Sequence, residues 1–128
     1  MQVLQEELGA IDEAVFQAAA GFGGGVGGSQ SICGAITGAA LAMGSHFGRQ
    51  GLDRAERRQQ VRPRVRQLCR QFKGQFEFVD CRELTACDFD DDQAHQRFID
   101  AGLREAKCLR YVDWVIGRVL ADLKGAKS

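Results

Sequence analysis

Residues 21–47 read GFGGGVGGSQSICGAITGAALAMGSHF, a glycine-rich segment followed by a run of small and apolar residues. Six of the eight residues from 21 to 28 are glycine. Holding a glycine in one conformation costs about 0.5–1 kcal/mol more than holding an alanine, so an ordered loop of this kind needs a structural reason. Phe22 and Val26 favour an ordered loop, because a solvated linker has no use for apolar side chains. We therefore predict that its backbone adopts positive φ angles or approaches another group closely.

The run that follows predicts a helix from about Ser31 to Phe47, capped by Ser29 or Ser31. Gly34 and Gly38 are four residues apart and share one face of that helix. A face without side chains is typical of tight helix packing in a core, and it also gives a flat ligand room to approach. The glycines that we consider for such an approach are Gly23, Gly24, Gly25, Gly34 and Gly38.

The rest of the chain also carries helical rather than strand periodicity. Val3 to Ala20 predicts a helix that Gly9 divides, and residues 54–74 combine an apolar stripe with many arginines. Pro63, within that stretch, marks either the first position of a second helix or a kink. Further predicted elements are a short extended segment at 76–79 and helices at 81–86, 92–101 and 104–124. We predict one all-α domain over residues 1–128, a compact bundle of five to six helices with the glycine-rich loop before the second main helix.

Composition and charge narrow the functional classes. Lys+Arg and Asp+Glu both total 17, so the formal net charge is zero. A zero net charge argues against a nucleic-acid partner, because nucleic-acid-binding proteins usually carry an excess of basic residues. It also leaves little electrostatic repulsion between two copies of the chain, so a homodimer is expected. The first seven residues contain no lysine or arginine, and no apolar run approaches the roughly 18 residues of a membrane span. We therefore predict a cytoplasmic protein without membrane insertion.

Five cysteines are the residues most relevant to chemistry: Cys33, Cys69, Cys81, Cys87 and Cys108. An odd number of cysteines without a secretion signal does not indicate a structural disulfide framework. In a reducing compartment such residues are core side chains, metal ligands or redox thiols. The chain has no C-x-x-C pair, no covalent haem motif and no classical zinc-finger spacing. Spacing alone leaves all three interpretations open.

Other motifs carry less weight. Gly23-x-Gly25-x-x-Gly28 matches the dinucleotide fingerprint, but that motif requires a preceding strand, and an alanine-rich helical segment precedes it here. The arginines of residues 54–74 are typical of a solvated helix face. The aspartates of residues 88–92 lack the glycine and glutamate of a calcium loop and suit a helix start instead. Nucleotide binding by the glycine loop and the arginines remains a third hypothesis.

Three separated pieces of sequence together resemble the C-GCAxxG-C-C family of redox-active proteins. They are the glycine loop with Cys33-Gly34-Ala35-x-x-Gly38, the pair Phe72 and Phe76 before Cys81-Arg82-Glu83-Leu84-Thr85, and Cys108 with Val112 one turn later. The resemblance runs from about residue 15 to residue 115. A haem-binding relative, split-Soret cytochrome c, is similar in this region, but its haem motif is missing here.

The resemblance implies four characteristic cysteines and redox activity. Cys33, Cys81 and Cys108 match three of the four positions. The fourth lies before the first helix in the family, so either this chain is shortened or this member lacks that residue. Cys69 and Cys87 fall outside the pattern, although Cys87 is near enough to Cys81 in sequence to substitute for it as a partner.

The chemistry expected of these thiols follows from their placement. Cys33, at a helix start beside glycine amides, is predicted to have a lowered pKa. Thiolates from three helices suit a soft metal or an iron–sulfur cluster, and two of them suit dithiol–disulfide cycling. The leading hypothesis is an electron or sulfur carrier that acts with a redox partner protein and uses Cys33, Cys81 and Cys108, with Cys87 a weaker candidate. The alternative is a non-catalytic helical dimerisation module whose cysteines belong to the core.

Overall fold

The computed structural model describes residues 1–9 and 12–125, and within those ranges it contains seven α-helices. They are α1 Gln2–Glu7, α2 Glu13–Ala18, α3 Gly34–Gly48, α4 Arg54–Phe76, α5 Cys81–Thr85, α6 Asp92–Asp100 and α7 Leu109–Gly125. A 3₁₀ turn at Ala19–Phe22 follows α2, and a π-helical turn at Arg104–Cys108 leads into α7. The all-α prediction is confirmed, with more helices than the five to six predicted.

Helix α3 lies at the centre and contacts α1, α4 and α7. Its buried face mixes small and large side chains: Ile36, Ala39, Ala42, Met43 and Phe47. Because alanines alternate with larger residues there, the side chains of neighbouring helices can interdigitate with it. The partners in the core are Leu4, Leu68, Phe72, Leu84, Tyr111, Val115, Val119 and Leu123. Within the described residues, no helix combines the length and the apolar character that crossing a membrane requires.

The N-terminal segment divides where the sequence predicted, at Gly9, which has a φ of 84°. Residues 10 and 11, which the predicted helix included, lie outside the described residues. Helix α2 then begins after Asp12, whose carboxylate accepts hydrogen bonds from the amides of Ala14 and Val15. This side-chain cap explains why a new helix starts so soon after the break.

Helix α4 runs unbroken through Pro63, so the prediction of a second helix starting there was wrong. A proline inside a helix costs about 3 kcal/mol or more, because it removes one hydrogen bond and crowds the preceding turn. Other interactions offset that cost. Leu68 and Phe72 are buried in the core, and a capping box at Asp53 and Glu56 closes the N-terminus.

Replacing Asp53 with alanine should lower the free energy of unfolding by about 1 kcal/mol, because the amide of Glu56 then loses its acceptor. Urea unfolding followed by circular dichroism would measure the change. Asp113→Ala on the exposed side of α7 is the matched control and should have little effect. Equal losses in the two variants would show that general helix charge, rather than the cap, matters.

Helix α3 begins at Gly34 rather than Ser31, and its N-cap is Cys33 instead of the predicted Ser29 or Ser31. The preceding backbone is extended, because Ile32 forms an isolated antiparallel bridge with Asp80. Two hydrogen bonds flank the bridge, from the Cys33 N–H to the Val79 carbonyl at 2.8 Å and from the Cys81 N–H to the Ser31 carbonyl at 2.7 Å. The bridge also shows that the extended segment predicted at 76–79 was placed too early in the chain. Helix α4 continues to Phe76 and ends at Glu77 in the left-handed region, so only the last part of that segment is extended.

Candidate functional site

Cys33 and Cys81 lie on one face of the short bridge between Ile32 and Asp80. Each follows a paired residue by one position, and successive residues of extended backbone point to opposite faces. Cys33 and Cys81 are therefore diagonal neighbours on the same face. In a regular antiparallel pair the Cα atoms of such neighbours lie about 7–8 Å apart, and their Cβ atoms lie closer.

Cys108 completes a group of three thiols with these two residues. Burial is the largest cause of the raised pKa of the Cys33 thiol, and charges on Cys81 and Cys108 raise that pKa further. At Cys81, too, burial raises the pKa most, and a charge on Cys108 adds to the effect. Each pair within the group is therefore close enough to interact electrostatically. The structure thus brings together the three cysteines that match the sequence pattern, from the starts of α3 and α5 and from the turn before α7.

The turn that carries Cys108 is π-helical, spanning Arg104–Cys108. Two contacts near it tie this part of the chain to α5. The Tyr111 hydroxyl donates to the Leu84 carbonyl at 2.9 Å, and the Lys107 ammonium donates to the Thr85 carbonyl at 3.5 Å. These bonds fix the spacing between the elements that bear Cys81 and Cys108. π-Helical turns inside α-helices are frequent at functional sites.

Burial sets the ionisation of all three thiols. Burial raises the pKa of Cys33. The amides of Ala35 and Ile36, at the start of α3, lower this pKa, but by less than burial raises it. Burial likewise raises the pKa of Cys81 and of Cys108, although Arg104 and Lys107 lower the latter. The predicted lowering of the Cys33 pKa was therefore wrong in its net direction. The amides at the helix start do act on the thiol, but desolvation is the larger effect.

Alkylation should report these raised pKa values directly. In the native protein, labelling of Cys33, Cys81 and Cys108 by iodoacetamide should rise with pH through midpoints above that of the urea-unfolded chain, near the ordinary thiol value of about 8.5. Because the raised pKa values favour the protonated thiols in the fold, their contribution to stability is complete below pH about 8.5 and is lost as the pH rises through the folded values. The free energy of unfolding should fall accordingly above that pH. Native midpoints at or below the unfolded one would contradict the burial argument.

The glycine loop adopts the positive φ angles that the sequence predicted, and the amides of Val26, Gly27 and Gly28 are used within the loop. Amides from residues 26 to 31 donate to loop carbonyls at 2.7–3.1 Å, closing the segment on itself. Gly24 and Gly25 adopt positive φ angles of 62° and 68°. The amides of residues 26–31 therefore already have acceptors and are not available to a phosphate group.

Gly25 makes the close approach that the sequence predicted, and the group it approaches is Cys81. A Cβ on Gly25 would lie 2.7 Å from the Cys81 Cβ and 2.7 Å from the Ser31 carbonyl oxygen. The Gly25 carbonyl accepts the Ser31 N–H at 2.8 Å, and the Ser31 carbonyl accepts the Cys81 N–H. Gly25 therefore packs directly against Cys81 and also accepts a hydrogen bond from Ser31, the residue that binds the Cys81 backbone.

Three further glycines of the predicted set, Gly23, Gly34 and Gly38, line a groove beside the N-terminus. A Cβ on Gly34 would lie 3.6 Å from the Phe22 carbonyl oxygen, and one on Gly38 would lie 3.5 Å from the Met1 nitrogen. With Gly23 they line an open groove of about 560 Å³. The small-residue face of α3 therefore meets the N-terminus and the loop.

The two cysteines outside the sequence pattern differ in placement. The Cys87 thiol contacts the Ala94 carbonyl at 3.6 Å, and a charge on Cys87 raises the pKa of Cys81. Cys87 is therefore a neighbour of the group. Cys69 lies on α4, where it packs against the hydrophobic core and where burial raises its pKa.

The described residues do not offer a metal centre. Across residues 1–9 and 12–125, no three His, Cys, Asp or Glu side chains are grouped so that they could hold a metal ion. All five cysteines are free and partly buried. The three grouped thiols influence one another electrostatically, but within the described part of the chain they do not form a group that could hold a metal ion.

Gln30 is the site residue that the sequence analysis missed. Its side chain is buried, and its amide nitrogen contacts the Cys87 carbonyl at 2.7 Å, the Thr85 hydroxyl at 3.3 Å and the Cys81 sulfur at 4.0 Å. Its amide oxygen accepts the Phe89 N–H at 2.8 Å. Nothing local in the sequence marks this residue, because every one of these partners lies more than 50 positions away.

Comparison with models of known protein families identifies a family. The model of the family described as "Putative redox-active protein (C_GCAxxG_C_C)" matches residues 1–121. No curated protein and no solved structure matches the chain. The matched range includes the glycine loop, the bridge and all five cysteines.

Proposed function

We propose that this chain, which belongs to the C-GCAxxG-C-C family of redox-active proteins, carries electrons by cycling Cys33 and Cys81 between a dithiol and a disulfide. The observation that carries the proposal is the bridge between Ile32 and Asp80, which sets the two thiols on one face as diagonal neighbours. Disulfides usually join Cα atoms about 4.4–6.8 Å apart, so closure requires the two segments to approach by about 1 Å from regular sheet geometry. A single bridge between loop segments can adjust in this way more readily than a full sheet.

The reaction needs a second disulfide as electron acceptor. Cys33 and Cys81 together give up two protons and two electrons and form one sulfur–sulfur bond. A disulfide of a partner protein, or of a small thiol compound, takes up the same protons and electrons and becomes two thiols. The reverse reaction returns the site to the dithiol. No metal enters this scheme.

A redox titration with mapped thiols tests the proposal. The protein is equilibrated without oxygen at graded ratios of reduced to oxidised glutathione, its free thiols are alkylated, and tryptic peptides are identified by mass spectrometry. Trypsin places each cysteine in a separate peptide: 1–49 for Cys33, 67–70 for Cys69, 74–82 for Cys81, 83–97 for Cys87 and 108–110 for Cys108. We expect two thiols to disappear together and peptides 1–49 and 74–82 to appear joined. Five free thiols across the whole range would reject the proposal and favour a helical interaction module. A disulfide that joins other cysteines would also reject it.

A further inference from the structure

Gln30 has a backbone conformation that its side chain must help to maintain. Its φ is 58°, in the left-handed region, although it is not a glycine. For a residue with a Cβ this conformation costs about 1–2 kcal/mol. Gln30 directly follows a loop that already uses glycines at such angles, and its side chain is only 6% exposed. The interactions of the buried amide therefore offset a backbone cost that a glycine would avoid.

Two backbone groups fix which end of this amide faces the thiol. The Phe89 N–H donates to the amide oxygen at 2.8 Å, and the Cys87 carbonyl accepts from the amide nitrogen at 2.7 Å. A flipped amide would place two donors against each other on one side and two acceptors on the other. The N–H₂ group of Gln30 is accordingly held towards the Cys81 sulfur, at 4.0 Å.

We infer that Gln30 is a positioning residue that makes Cys81 the attacking thiol of the proposed pair and leaves Cys33 as the resolving thiol. This inference rests on the proposed function. An N–H directed at sulfur stabilises the thiolate relative to the thiol, and the same contact holds the sulfur in place. The packing of the two residues favours the same assignment, because Cys33 packs against the hydrophobic core, whereas Cys81 lies outside that cluster. An external disulfide therefore meets Cys81 first.

The order of steps follows from this assignment. The Cys81 thiolate attacks one sulfur of an external disulfide, forming a mixed disulfide and releasing the first partner thiolate, which takes up a proton. Cys33 then gives up its proton and attacks the Cys81 sulfur, which forms the internal disulfide and releases the second partner thiolate. In the reverse direction Cys33 leaves as a thiolate, and the amides of Ala35 and Ile36 stabilise that charge.

The first test uses the unmodified protein. A brief exposure to oxidised glutathione, quenched by acid, should place glutathione on peptide 74–82, which carries Cys81, before it appears on any other peptide. First labelling of peptide 1–49 would reverse the order of attack and overturn the inference. The equilibrium titration keeps the two claims separate. If the internal disulfide forms but Cys33 reacts first, the proposed function stands and the role of Gln30 fails.

The second test isolates the amide contact. Gln30→Met keeps the length of the side chain but removes both donors, so labelling of Cys81 at pH 7 should slow by about three- to tenfold and its pH midpoint should rise. Cys33 should keep its rate. Gln5→Met is the matched control, because it makes the same change at another buried glutamine, whose side chain contacts the Asp12 N–H rather than a thiol. An unchanged Cys81 midpoint in Gln30→Met, or an equal shift in Gln5→Met, would overturn the inference.

Discussion

Replacing Gly25 with alanine is expected to destabilise the protein by about 2–5 kcal/mol, the largest effect that we expect of a single added methyl group. Two costs combine at this position. Gly25 has a φ of 68°, where a residue with a Cβ is strained, and that Cβ would lie 2.7–2.8 Å from Cys81, Ser31 and Gln30. Two of those three atoms belong to the backbone, so no side-chain rotation relieves the overlap.

Gly28→Ala provides the matched comparison. Gly28 also has a left-handed φ, of 74°, but a Cβ there would meet no heavy atom within 4 Å among the described residues, chain neighbours apart. Gly28→Ala should therefore lower the free energy of unfolding only by the backbone strain, about 1–2 kcal/mol. Urea unfolding of both variants measures the difference, and alkylation of Cys81 in the native state reports whether the site has moved. Equal losses of stability would show that the close approach to Cys81 does not matter.

The sequence predicted those features of the fold that depend on residues close to one another in the chain. Apolar periodicity and the absence of a strand pattern were enough for an all-α fold. Six glycines among eight residues, with Phe22 and Val26 between them, indicated an ordered loop that approaches another group, and the structure identifies that group as Cys81. The order of the cysteines indicated a group of three, and in the structure these three thiols lie close enough to influence one another's pKa; that they act together stays a prediction.

Long-range contacts decide the features that the sequence did not reveal. Helix α3 starts late because Ile32 pairs with Asp80, almost fifty residues away. Pro63 remains inside α4 because the capping box and the core on either side outweigh its local cost. The direction of the Cys33 pKa depends on how deeply the fold buries the thiol, which a helix start alone does not determine. Gln30 has no local signature at all.

Serine substitutions at the paired cysteines should remove the two-electron transition entirely. In Cys33→Ser and in Cys81→Ser, titration with oxidised glutathione should no longer consume two thiols together, and peptides 1–49 and 74–82 should never appear joined. Each variant retains one thiol of the pair, which has lost its proposed partner and should form a mixed disulfide with glutathione instead. Serine resembles cysteine in size, and both thiols are only partly buried, so we expect the fold to persist. Circular dichroism and urea unfolding would verify that it does.

The control for this experiment is Cys69→Ser, since Cys69 packs against the core on α4 and takes no part in the bridge. This variant should keep the two-thiol transition and its midpoint, while peptide 67–70 loses its alkylated cysteine.

Cys108→Ser discriminates further, because Cys108 interacts electrostatically with both members of the pair. If the disulfide forms between Cys33 and Cys81, it must survive this substitution, with at most a modest shift in midpoint from the loss of a neighbouring thiol. If Cys108→Ser abolishes the transition while Cys33→Ser does not, the working pair is Cys81 with Cys108, and the bridge between Ile32 and Asp80 has only a structural role.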